Sequence, residues 1–147
     1  MDNENLSNVL LVGCPRSGTT ILQAILSSHP EIFSLPETHF YPALCSKNHI
    51  FRYLGISTKQ ARYIVKDIES SFLPHSNVKC SNFTKVLSNQ YINILNQIKL
   101  RKKCKLWIEK TPQNLWFINF IYKLNPNLKY IHIERDPKDV IASIHYA

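Results

Sequence analysis

Residues 9–20 read V-L-L-V-G-C-P-R-S-G-T-T, and this stretch decides how the rest of the chain is understood. Val9, Leu10, Leu11 and Val12 are four consecutive branched apolar side chains, the pattern of a short strand buried on both faces. Gly13 and Gly18 follow, five apart, with Pro15 between them, so the backbone turns here. A helix then opens at Thr19-Thr20-Ile21-Leu22-Gln23-Ala24-Ile25-Leu26. Strand, glycine loop and helix start together make an anion cradle. Loop N–H groups converge on one point, and the helix dipole adds partial positive charge there.

The spacing resembles the nucleotide P-loop G-x-x-x-x-G-K-[ST], with one departure. Thr19 stands where that motif has lysine, and the basic residue, Arg16, sits earlier in the turn. A loop that splits ATP needs the lysine over the β/γ-phosphates and a hydroxyl on Mg²⁺. This loop keeps its hydroxyls and moves the cation, which suits a phosphate bearing a different transferring group. A surface turn before an ordinary helix is the competing reading, and five features in the right order argue against it.

Outward from this stretch, strands are expected at 32–35, 105–108 and 128–133. Ser57 with Gln60 reads as a capping box for an amphipathic helix over 58–72, carrying Ala61, Ile64, Val65, Ile68 and Phe72 on one face. A longer helix over 84–102 presents Val86, Leu87, Tyr91, Ile94, Leu95 and Ile98. Thr111-Pro112 starts a helix over 113–124 that is apolar on nearly all sides and so expected to be deeply covered. Asp136 caps a last helix, and 42–56 reads as irregular. Strands alternating with helices imply an α/β fold of the P-loop type: a parallel sheet with helices on both faces. The 147 residues are expected to form a single domain, 1–147. Ligands in such sheets gather at the carboxyl ends of the strands. Three of those ends carry Arg16, Lys110 and Arg135 beside a helix start.

Lysine and arginine outnumber the acids 18 to 10, for a formal charge of +8, which favours a polyanionic partner. The basic residues are scattered without an aromatic-basic repeat, which argues against a nucleic-acid module. The run Arg101-Lys102-Lys103-Cys104-Lys105 reads as a solvated helix end. Cys14, Cys45, Cys80 and Cys104 form no C-x-x-C pair and read as reduced thiols, giving a cytoplasmic expectation. No His/Cys cluster offers a metal site, and no apolar run reaches membrane-spanning length.

P-R-S-G-T-T at 15–20, E-K-T-P at 109–112 and I-E-R-D-P-K-D-V-I-A-S at 133–143 together resemble the sulfotransferases that use 3′-phosphoadenosine 5′-phosphosulfate (PAPS). The first motif is similar to that family's 5′-phosphosulfate loop. The last is similar to its 3′-phosphate motif, an arginine at a strand end with a serine eight residues on. The resemblance implies that Arg16, Ser17, Gly18, Thr19 and Thr20 hold the 5′-phosphate while Arg135 and Ser143 recognise the 3′-phosphate. It implies that Arg16 and Lys110 offset charge on the sulfonate and bridging oxygen. Arg16 and P-E-T-H at 36–39 look more like the tyrosylprotein and carbohydrate-type branch than the drug-conjugating one, and by that similarity Glu37 is the general base. His39 is the reserve, with weaker claims from His75 and His132. The implied reaction moves a sulfuryl group from PAPS to a hydroxyl or amine acceptor without a metal, leaving 3′,5′-ADP. Family members continue well past the serine-bearing helix, so the domain is expected to be incomplete at its C-terminus. The alternatives are a P-loop kinase or NTPase, and a non-catalytic nucleotide-binding remnant.

Overall fold

The computed structural model describes residues 8–45 and 47–145. Val9–Gly13 forms β1, and all five of its residues are buried, as four branched apolar side chains in a row require. The chain leaves β1 through the glycine turn into α1 (Thr19–Ser27), returns as β2 (Ile32–Leu35), then enters two short helices, α2 (Phe40–Leu44) and α3 (His49–Tyr53). The stretch 42–56, expected to be irregular, thus holds the end of α2 and all of α3. Phe40, Tyr41 and Leu44 anchor α2 in the core, and the Asn48 side chain caps α3 by accepting from the N–H groups of Ile50 and Phe51.

Next come α4 (Lys59–Phe72) and α5 (Thr84–Arg101). Thr58 rather than Ser57 caps α4, its Oγ1 accepting from the Ala61 N–H at 3.0 Å. Ser57 is already committed: its N–H donates to the Asn82 carbonyl at 2.7 Å and its hydroxyl to the Ser81 carbonyl at 3.0 Å. On α5 the buried stripe is Leu87, Tyr91, Ile94, Leu95 and Ile98, while Val86, one residue off that stripe, is exposed. After β3 (Leu106–Lys110) the chain tightens into a 3₁₀ turn, Pro112–Phe117, before α6 (Ile118–Leu124). That change of winding breaks the expected all-round burial of 113–124: Ile121 is fully buried, but Trp116 is 75% exposed and Tyr122 faces solvent. β4 (Lys129–Ile133) and α7 (Pro137–His145) are the last described elements, with Asp136 Oδ1 accepting from the Lys138 N–H at 2.8 Å.

The sheet is parallel with strand order β2-β3-β1-β4. Leu10 and Val12 of β1 pack with Trp107, Phe33 and Leu35 against α2, α4, α5 and α6. Val9, Leu11 and Ile108 face the other way, against Leu22 and Leu26 of α1. Helices therefore cover both faces. The connections leaving the adjacent strands β1 and β3 run over opposite faces, so a crevice opens between their carboxyl ends. No described helix is long and apolar enough to cross a membrane.

Candidate functional site

The turn after β1 is built from backbone that few residues tolerate. Gly18 sits at φ 101° and Arg16 at φ 69°, both left-handed. A side chain at Gly13 would stand 2.8 Å from the Ile133 carbonyl, so only glycine lets β4 lie this close to the loop. The Ser17 hydroxyl is buried inside the turn and has no hydrogen-bond partner among the described residues. A buried hydroxyl without a partner is costly unless a ligand completes it.

Arg16, Thr19, Thr20, Arg135 and Ser143 line one cleft of about 260 Å³ at this loop. Arg16 Nε donates to Ser143 Oγ at 3.1 Å and its Nη2 to the Ser143 carbonyl at 3.1 Å. Arg135 Nη1 donates to the Arg16 carbonyl at 3.4 Å, and its Nε lies 3.7 Å from Asp139 Oδ2. Residues 127 positions apart thus meet at the carboxyl ends of β1 and β4. Two guanidinium groups, a helix N-terminus and three hydroxyls around one cleft are the chemistry that holds phosphate.

A second cluster adjoins the first through Thr20. Alternation along β3 turns Lys110 toward α1, where its Nζ donates to Thr20 Oγ1 at 3.4 Å and pairs with Glu37 Oε1 at 2.5 Å. The Lys110 side chain is 6% exposed and that of Glu37 34%, so the acid is open to an incoming molecule while the cation is enclosed. His39 Nε2 lies 3.5 Å from the other Glu37 oxygen. Arg16 and Lys110, expected to act on the same oxygens, are held by different partners, Arg16 by Ser143 and Lys110 by Glu37 and Thr20. His75 lies exposed after α4, and His132 is exposed on β4, 3.6 Å from Glu134.

The same alternation turns Glu109 to the opposite face, where it is fully buried. Glu109 Oε1 accepts from the Thr38 hydroxyl at 2.8 Å, from the Thr38 N–H at 3.4 Å and from the Thr111 hydroxyl; Oε2 accepts from Asn114 Nδ2 at 2.8 Å. Burial pushes the Glu109 carboxyl above the usual carboxylate range, opposed by the hydrogen bonds from Thr111, Thr38 and Asn114. Burial and then the Glu109 charge drive the Tyr91 phenol well up. Sequence reasoning read Thr111 as a helix start and Glu109 as part of E-K-T-P, and gave neither them nor Thr38 or Asn114 a part in the site. The strand expected at 105–108 runs instead over Leu106–Lys110, which puts Glu109 inside it, at a position whose alternation aims it into the core.

A glycine turn opening into a helix at the crevice of a parallel sheet, with an acid–lysine pair beside it, defines an α/β protein whose cleft has a lining suited to an anion. The model of the sulfotransferase family matches residues 8–146, and the chain belongs to that family. It is 23% identical over 142 residues to a protein-tyrosine sulfotransferase of Drosophila melanogaster, covering 97% of this chain and 26% of that protein. It is 26% identical over 136 residues to the nodulation protein NoeE of Sinorhizobium fredii, covering 91% of this chain and 30% of that one. The crystal structure of sulfotransferase STF1 from Mycobacterium tuberculosis shares the fold, with a TM-score of 0.50 at 15% identity over 94% of this chain and 48% of that one. The chain spans under a third of the length of these curated relatives.

Proposed function

We propose that this chain binds PAPS and moves its sulfuryl group to a hydroxyl or amine acceptor. The observation that carries the reading is the shared cleft: Arg16, Thr19 and Thr20 from the glycine turn and Arg135 and Ser143 from the far end of the chain line one space. A nucleotide with phosphates at both the 5′ and 3′ positions needs two such anchors close together. The partnerless Ser17 hydroxyl supports it, since an anion in the turn would satisfy that group.

In this reading the N–H groups of 16–20 and the Thr19 and Thr20 hydroxyls hold the 5′-phosphate, and Arg135 with Ser143 holds the 3′-phosphate. Lys110 stabilises charge on the oxygen that bridged phosphorus and sulfur as the S–O bond breaks. Arg16 supplies charge to the phosphosulfate, and its reach to Ser143 brings it near the 3′-phosphate as well. Glu37 takes the acceptor's proton as the new S–O bond forms, and 3′,5′-ADP departs with the bridging oxygen. His39, beside Glu37, supports the acid's orientation. Protein tyrosine is the acceptor named for the Drosophila relative; for this chain the acceptor class is any hydroxyl or amine that reaches Glu37.

Calorimetric titration tests the donor reading. 3′,5′-ADP should bind without Mg²⁺ and far more tightly than ATP. Arg135→Ala should weaken it by about 2–5 kcal/mol, because a desolvated phosphate loses its cation. Equal affinity for the two nucleotides, or an unchanged Arg135→Ala, would remove the proposal.

A further inference from the structure

We propose that Glu109 is a positioning residue: its buried carboxylate fixes the turn 37–40 and thereby holds Glu37 against Lys110. This rests on the reading of Glu37 as the base. Three consecutive backbone N–H groups are tied to the one carboxylate. The Thr38 N–H donates to Glu109 directly, at 3.4 Å. The His39 N–H donates to Thr111 Oγ1 at 3.2 Å, and the Phe40 N–H to Thr38 Oγ1 at 3.2 Å. Both threonine hydroxyls spend their single proton on Glu109 Oε1, which leaves their lone pairs facing those two amides. The Tyr91 hydroxyl, 3.1 Å from Thr38 Oγ1, closes the same network from α5. His39 sits at φ 53°, left-handed for a residue with a side chain, so the turn needs outside support to persist. Glu109 and Lys110 are neighbours on β3 that point to opposite faces. One strand thus grips the turn from its buried side and pairs with Glu37 from the other.

Amide hydrogen exchange, followed residue by residue by NMR in ¹⁵N-labelled full chain, tests this. Glu109→Ala should speed exchange at Thr38, His39 and Phe40 by about tenfold or more, while β1 and α5 keep their protection. Glu109→Gln, which retains an acceptor oxygen for both threonines, should restore protection to within about threefold of the native value. Unchanged exchange at 38–40, or acceleration spread evenly over β1 and α5, overturns the inference. Where Glu109→Ala does not fold, Thr111→Val serves: exchange should quicken at His39, and an unaffected His39 overturns it. Sulfate release from PAPS into water supplies the second readout. In Glu109→Ala, kcat should fall about 100-fold with KM for PAPS unchanged, since the turn moves and the donor cleft does not. A loss confined to KM counts against the positioning role. Failure of the native chain to bind 3′,5′-ADP would strike the donor reading alone, because the exchange experiment needs no nucleotide.

Discussion

Glu69 and Glu109 are both nearly inaccessible carboxyls, and their opposite environments give them opposite pH signatures. Burial pushes Glu69 up, but donors from Ser76 and Val78 and the Lys66 ammonium outweigh it, so its carboxyl lies below the ordinary glutamate value of 4.5. A lowered acid contributes stability that is fully present above 4.5 and is lost as pH falls toward its folded value. Glu109 is raised, so the folded chain holds its proton longer than the unfolded one, and stability declines as pH rises from 4.5 toward its folded value. Urea unfolding as a function of pH should therefore show Glu69→Gln flattening the acid limb and Glu109→Gln flattening the decline above 4.5. Crossed results would reverse the assignments. Glu37→Gln should lower sulfuryl transfer by about 10²–10⁴ while 3′,5′-ADP affinity holds, measured by steady-state rates beside calorimetry.

At the scale of elements, the helix starts carry the clearest expectations. Thr58→Ala removes the hydroxyl that accepts from Ala61 and should cost about 1 kcal/mol in denaturant unfolding. Gly18→Ala must hold an alanine at φ 101° and should cost about 1–2 kcal/mol, with nucleotide binding weakened alongside. Strand and helix positions were legible in the sequence wherever one periodicity ruled. The run 9–12 gave a strand buried on both faces, and the stripe 87–98 gave α5. They were not legible where competing partners decided. Ser57 looked like a cap by spacing, yet an isolated bridge between Ile56 and Phe83 draws it toward 81–82 and hands the role to Thr58. Residues 113–124 looked uniformly buried, yet the 3₁₀ turn sets Trp116 outward. The Arg16–Arg135–Ser143 meeting was legible as motifs; the Glu109 network was not, because Thr111 and Asn114 lie close by in sequence but Thr38, which ties the network to the 37–40 segment, lies 71 residues away.

At the scale of the whole molecule, the proposed function implies that the +8 charge and the open cleft act together on a multiply charged nucleotide. Stopped-flow association of 3′,5′-ADP should slow steeply between about 0.01 M and about 0.15 M salt, as the screening length shrinks from roughly 30 Å to roughly 8 Å. Dissociation should change far less, because it reports the contacts inside the cleft. Leu87→Ala, on the face where α5 meets the sheet, should remove about 2–5 kcal/mol of global stability. A smaller loss in calorimetric melting would mean the helix layer relaxes around the gap.

The two tryptophans also divide the molecule optically. Trp107 is sealed in the core with its indole N–H on Asn96 Oδ1 at 2.9 Å, whereas Trp116 projects into water from the turn that follows Lys110. Iodide should quench the red-edge emission of the second and leave the blue emission of the first untouched. One fluorescence spectrum of the native chain then reports separately on the centre of the sheet and on the segment next to the acid–lysine pair.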